Sequence, residues 1–364
     1  MKTIIHVTTV HPWWDNRIYE KMVLGLQKRG RDVLYICPAD PIDLDRIKVK
    51  SVALPLGSGI SARLSRNVRA CHECLKRPGA IVHFHDPEFI PFGLLLRMFG
   101  QHVIYDVHED NLRAIPQKTR LPRWMRLILA NVVAAIESFS SRFFRIVIAE
   151  RVYTERFKQG VPVLNYPSRG MESCNPSKDL QKRSMRRLLY TGCLSEDRGS
   201  INHVKLLRLL PEYELHMIGR CDTDLQKKLI QIAGDALPRL HLQVDEGGIP
   251  FPKIRDAYMK GGWDWGLAIF PDTPHYRDKE LTKFFEYMFF RVPIICSDFP
   301  VWRQLVGEDY GIVVDAVNLE SAASMLRQHN EKFRNYRTSS FGMPDQYTWE
   351  TQLDRLEKLY GDLA

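Results

Sequence analysis

The sequence predicts an α/β protein made of two doubly wound, Rossmann-like domains. Three observations carry that prediction. Short apolar runs rich in Val, Ile, Leu and Tyr lack the polar alternation of a sheet that faces water. Helix-length segments separate these runs. The same rhythm then begins again after a polar, aperiodic stretch, "GMESCNPSKDLQKRSMRR". Strands buried on both faces and joined through helices form a parallel sheet covered on each side. With 364 residues the chain is long enough for two domains of ordinary size.

In chain order, the first half reads as strands "TIIHVTTV", "DVLYICP", "VKSVAL", "AIVHFHD", "HVIYDVHE", "RIVIAE" and "VPVLNYP". Helices are expected at 17–29, 62–76, 90–99 and 123–139. The second half gives strands "RLLYTG", "YELHMIG", "HLQVDE", "WGLAIFP", "PIICSD" and "GIVVD". Its helices fall near 201–210, 225–234, 252–260, 281–290 and 319–332. The last segment, "YTWETQLDRLEKLYGDL", is an amphipathic helix with Trp349, Leu353, Leu356, Leu359 and Tyr360 on one side. The domain bounds expected are 1–165, 166–345 and, for the final helix, 346–364.

A formal charge of +9, from 52 Lys and Arg against 43 Asp and Glu, points to an anionic partner: nucleic acid, a membrane surface or a phosphorylated substrate. Hydrophobic content of 45% and charged content of 26% are those of a folded globular chain. No apolar run approaches the roughly 20 residues that span a bilayer. The opening "MKTIIHVTTVHPWWDNR" reads as a first strand rather than a signal peptide. Seven cysteines without framework spacing suit a reducing cytoplasm. "CHEC" at 71–74 has no second ligand pair, so two small helix residues are preferred over a zinc site.

Ligands of open parallel sheets bind beyond the carboxyl ends of the strands. After strand one, "HPWWDNRIYEK" places His11, Asp15 and Arg17 ahead of a helix, with no glycine for a dinucleotide fingerprint. Asp15 there is either a helix cap or a functional carboxylate. "HFHDPE" and "DVHED" add three histidines and five carboxylates. His83 and His85 share one side of a strand, and one of them is expected to be a satisfied structural histidine. His108, at its strand's end, is the better candidate for chemistry, and a stable metal site is the weaker reading because no ligand spacing is met. In the second half, "YTGCLSEDRGS" sets Gly192, Arg198 and Gly199 between strand and helix, either as a surface loop or as an anion cradle.

The segment "KELTKFFEYMFFRVPIICSDFP" holds the most specific pair. Thr282 and Lys283 fall in the first turn of a helix, where a lysine opposes the helix dipole unless an anion is bound. Glu286, about one turn on, is placed to accept from sugar hydroxyls. Lysine and amides for a phosphate, carboxylate for a ribose, fit a nucleotide; the competing reading is an internal ion pair of a few tenths of a kcal/mol.

"TKFFEYMFFRVPIICSDFPVWRQLV" resembles the signature stretch of retaining glycosyltransferases of family four, and "HPWWDNRIYEK", "HFHDPEFIPFGLLL", "IYDVHED" and "YTGCLSEDRG" resemble, in order, other blocks of its bacterial polysaccharide-assembly members. The resemblance implies a GT-B fold, two Rossmann-like domains facing across a cleft with the last helix crossing back to the first. It places Glu286 at the second acid of an E-x7-E motif, on the donor ribose, and the first acid at Asp278, with Glu280 a nearby substitute. Arg198 takes the place of a diphosphate-binding lysine, Cys193 stands where an arginine often follows the glycine, and Lys283 supplies the charge. His108 matches a histidine near the reacting carbon. The implied nucleotide-sugar set is Gly192, Arg198, Gly219, Thr282, Lys283 and Glu286; the catalytic set is His108, Asp278 and Glu280; His11, Asp15 and Arg17 lie on the acceptor side.

The expected activity is transfer from a nucleotide diphosphate sugar to a lipid-linked glycan, with retention and with neither cofactor nor metal. The basic segments 62–77 and 113–126 suit an anionic membrane surface, met peripherally from the cytoplasm. The apolar stripe of 123–139, Trp124 included, is expected to be mostly core. Two rivals share these features: a sugar-nucleotide epimerase or hydrolase of the same fold, and a basic nucleic-acid-binding protein, for which no motif or stacking surface is found.

Overall fold

The computed structural model describes residues 2–108, 112, 115, 122–168, 184–338 and 343–363. Contacts divide the chain into two units, Met1–Ser168 with Trp349–Ala364, and Arg169–Thr348. Most of the polar stretch 170–187, read as a linker, and the basic residues Arg113, Lys118 and Arg120 lie outside the described residues.

The first unit is a seven-stranded parallel sheet in the order β3-β2-β1-β4-β5-β6-β7. Its strands are β1 (Ile4–Val7), β2 (Val33–Pro38), β3 (Lys50–Leu54), β4 (Ile81–Phe84), β5 (His102–Val107), β6 (Arg145–Ile148) and β7 (Val161–Pro162). Side chains alternate between two cores. Ile5, Val7, Val82, Phe84 and Tyr105 face one side, under helices α2 (Ile60–Leu75) and α3 (Ile90–Met98). Ile4, Tyr35, Ile81, Ile104 and Val147 face the other.

That second face carries the segment 16–28, a π-helix Asn16–Val23 running into α1 (Leu24–Lys28), where one regular helix was expected. The Asp15 carbonyl accepts from both Tyr19 and Glu20, which widens the first turn. The final helix, α11 (Trp349–Gly361), lies there too, burying Trp349, Leu353, Leu356 and Tyr360. It therefore belongs to the first unit. Of "VPVLNYP" only two residues pair as a strand, and beyond them the Leu164 amide donates to Gln352 of that helix at 3.0 Å.

One expectation is overturned. Helix α4 (Arg123–Ser140) turns its apolar stripe outward: Trp124 is 64% exposed, and Met125, Ile128, Leu129 and Val132 are exposed as well. Ala130, Glu137 and Ser140 form its buried side. The Tyr105 hydroxyl donates to Glu137 at 2.7 Å, and Arg156 pairs with the same carboxylate at 2.6 Å. A buried carboxylate must be paired, and meeting those partners rotates the helix so that its small residues face inward.

The second unit is a six-stranded parallel sheet, order β10-β9-β8-β11-β12-β13. Its strands are β8 (Arg186–Thr191), β9 (Tyr213–Arg220), β10 (Leu240–Asp245), β11 (Trp265–Ala268), β12 (Ile294–Ser297) and β13 (Gly311–Val314). Around it lie α5 (Ser200–Leu209), α6 (Thr223–Ala233), α7 (Phe251–Lys260), α8 (Thr282–Phe289), α9 (Pro300–Val306) and α10 (Leu319–Thr338), of which α9 was not anticipated. In both sheets the strand order reverses beside the first strand, between β1 and β4 and between β8 and β11. Those are the positions where doubly wound sheets bind ligands.

Candidate functional site

At the reversal point of the first sheet, strand ends bring six polar side chains together. The Asp86 carboxylate accepts from the Thr8 hydroxyl at 2.9 Å and the Thr9 amide at 2.6 Å. His11 stands 3.5 Å from Asp86 and 3.6 Å from Asp15. Asp15 is a helix cap, taking the amides of Arg17 and Ile18 at 2.9 Å each. His108 Nε2 lies 2.8 Å from Asp106, and its ring is 5.1 Å from that of His11.

Arg17, expected on the acceptor side, is buried and gives two parallel hydrogen bonds to Asp106. Burial opposes the Asp106 charge, but Arg17, then His108 and His85, more than offset it and hold the carboxyl well below its ordinary range. Both His83 and His85 are buried, where one structural histidine was anticipated. His85 meets Asp106 at 3.2 Å and His6 at 3.0 Å, and His83 meets the Tyr360 hydroxyl at 2.7 Å. Burial keeps His6 and His83 well below 6.5 and takes His85 to about 4, so the row is neutral. His83, His85 and Asp106 also offer three ligand atoms in one place. The Arg17 guanidinium already fills the carboxylate, which does not suit a cation there.

At the reversal point of the second sheet, the backbones themselves set the shape. A Cβ on Gly219 would stand 1.8 Å from the Gly192 carbonyl, and one on Gly199 would stand 1.9 Å from that of Ile269. Both have positive φ, so glycine alone fits where β8, β9 and β11 end.

Over this floor, α8 begins at Thr282 with no side chain capping its first amides. Lys283 is buried, its ammonium 3.4 Å from the centre of the Tyr190 ring and without a hydrogen-bond acceptor among the described residues. Burial, and then the nearby Arg198, push its pKa well below 10.5. Arg198 donates from Nε to the Tyr276 hydroxyl at 2.8 Å. Glu286 accepts from Tyr258 at 3.1 Å, and Tyr258 shares a hydrogen bond of 2.6 Å with Thr191. The Lys283–Glu286 pair is thus not a surface ion pair: both side chains are buried, at the exit of the sheet. Asp278 is exposed and Glu280 half-buried on the loop before α8.

Sequence reasoning did not single out the three tyrosines of this site, Tyr190, Tyr258 and Tyr276, which meet Lys283, Glu286 and Arg198 only in the fold. It also missed Asp106 as the hub of the first cluster, and the half-exposed group Glu214, His216 and His241, which lies on neighbouring strands.

No protein-family model and no curated protein matches the chain. Solved structures do. Sucrose-phosphate synthase from Thermosynechococcus elongatus superposes with a TM-score of 0.73 at 15% identity, covering 100% of this chain and 99% of that one. The fold is GT-B. Anabaena Alr3699/HepE, solved with UDP and glucose, gives a TM-score of 0.71 at 12% identity over 99% of each chain. A putative UDP-N-acetylglucosamine 2-epimerase from Listeria monocytogenes gives 0.57 at 14% identity, over 99% of this chain and 97% of that one. At such identities the likeness is one of fold.

Proposed function

We propose that the chain is a glycosyltransferase that binds a nucleotide diphosphate sugar on its second unit and transfers the sugar, with retention, to a hydroxyl of a lipid-linked glycan. One observation carries the reading: the Lys283 amine is buried with no acceptor among the described residues, beside Arg198 and the uncapped start of α8, at the end of a doubly wound sheet. A diphosphate supplies the missing acceptors. Glu286, already oriented by Tyr258, accepts from ribose hydroxyls.

In the transfer, the bond from the anomeric carbon to the leaving phosphate breaks, and a bond to the acceptor oxygen forms on the same face. The acceptor proton passes to the departing phosphate. Arg198, Lys283 and the α8 amides are fixed charges and dipoles that stabilise that phosphate, which is where most of the rate gain of such sites arises. We assign His108, held by Asp106, to positioning of the donor sugar, and Asp278 or Glu280 to the first acid of the motif. His11 and Asp15 are assigned to the acceptor, and the basic surface of the first unit to an anionic membrane met peripherally at its inner face. Neither cofactor nor nucleic acid enters.

The fold likeness to a putative epimerase favours one second reading, conversion of the sugar nucleotide alone. A panel of nucleotide sugars separates the two. Thermal stabilisation by one donor, with product formed only when a glycan-lipid acceptor is added, is the expected result. Conversion of free donor without acceptor sinks the transferase, and failure of every nucleotide sugar to bind sinks both.

A further inference from the structure

Helix α4 presents the opposite of a soluble helix. Its buried side is Ala130, Glu137 and Ser140, while Trp124, Ile128, Val132, Ile136 and Phe139, spaced three or four apart, stand exposed. Phe143 extends the row past the helix end. Helix α3 packs beside α4 on the same side of the sheet, and its far end shows Met98, 84% exposed, and Phe99. Scattered apolar residues are ordinary on a surface; a continuous stripe on two adjoining helices is not.

The charges around this stripe are mostly basic. On α2 and α3 every exposed charged side chain among the described residues is basic, and Arg142 and Arg145 continue the series; Glu88, paired with Arg63, and the exposed Glu155 are the acids nearby. The acids of these helices are withdrawn: Glu137 is fully buried and Glu73 is half-buried against Lys76. A second copy of the chain would bring like charges face to face, which disfavours a self-interface. No helix of the described residues is long and apolar enough to cross a membrane. A helix of this length, about 27 Å, can instead lie in the plane of a bilayer, apolar side chains among the acyl chains and arginines at the phosphates.

We propose that α4, with the end of α3, is a membrane-insertion surface that enters a bilayer containing anionic lipid. This deepens the peripheral contact of the proposed function, which by charge alone would be released by salt, and it does not depend on the donor. Trp124 sits at the start of the helix, where an aromatic ring with a polar edge suits the headgroup layer.

The test is flotation with vesicles of phosphatidylcholine alone and with added phosphatidylglycerol, across a salt series. The protein is compared with a double variant, Trp124→Glu and Phe139→Glu, and with Arg97→Gln and Arg142→Gln together. All four positions are exposed, and unchanged thermal unfolding checks the fold. The expected result is preference for anionic vesicles with a fraction that resists high salt. The double glutamate variant loses that fraction, about tenfold or more in partitioning, while the arginine variant loses the salt-sensitive part. Binding wholly reversed by salt and unchanged in the glutamate variant overturns insertion while leaving charge-driven adsorption intact. No vesicle binding, with a dimer that the glutamate variant dissociates, overturns it in favour of a self-interface. Donor binding, measured on the same samples without lipid, reports separately on the transferase reading.

Discussion

The Lys283 ammonium stands 3.4 Å from the centre of the Tyr190 ring, buried and without a hydrogen-bond acceptor among the described residues. The ring face attracts the cation but gives its N–H groups no lone-pair acceptor, which a bound anion would supply. Lys283→Met keeps the length and removes the buried amine. It should stabilise the ligand-free chain by about 1 kcal/mol, the scale usual when a strained functional group is relieved. Turnover should fall by about a hundredfold or more. Denaturant unfolding and initial rates check both; a variant that is less stable and fully active would place the diphosphate elsewhere.

Nucleotide binding should also take up protons. Burial and Arg198 push the Lys283 pKa down, and a bound diphosphate reverses that shift by favouring the charged form. Calorimetry with UDP in buffers of different ionisation enthalpy reads the proton count directly. A binding heat that is independent of buffer shows that the protonation of Lys283 does not change on binding.

Glu286→Ala should leave the fold intact and weaken donor binding about 10- to 100-fold, as loss of hydrogen bonds to a charged acceptor does. Glu286→Gln, which still orients on Tyr258, should lose less. Equal donor affinity in all three proteins would remove the ribose assignment.

Asp106→Asn leaves the Arg17 guanidinium buried without its counter-charge. Removing one partner of such a pair costs about 3–5 kcal/mol. Urea titration of the first unit should show that loss, and a change under 1 kcal/mol, roughly the worth of a surface pair, would contradict the buried geometry.

Stability should fall with acid earlier than carboxylates alone would cause. Unfolded imidazoles protonate near 6.5, whereas burial holds His6 and His83 well below that value and His85 at about 4. Their contribution is whole above pH 6.5 and is lost as pH falls from there toward the folded values, since only the unfolded chain gains protons in that window. Each group contributes a slope of about 1.4 kcal/mol per pH unit. Asp106, also depressed, adds loss of the same sign below 3.8. Unfolding free energy that stays level between pH 6.5 and 4 would show the histidines to be charged or exposed.

What the sequence determined by itself was what local chemistry carries. Short apolar runs rich in β-branched residues, separated by helix-length segments, read as strands of a parallel sheet, so the thirteen short strands among the described residues and their helical spacers were largely legible. The placement of Lys283 and Glu286 in the first turns of a helix was legible too, and a lysine there is electrostatically odd without an anion. Tertiary structure alone decided what depends on distant partners. Arg17 and Asp106 are 89 residues apart, and Tyr360 reaches His83 across 277. Tyr258 orients Glu286 from another helix, and no spacing encodes that. The periodicity of α4 showed an apolar stripe but not its direction. That was settled by Glu137, a single buried carboxylate whose need for Tyr105 and Arg156 outweighs the burial of Trp124.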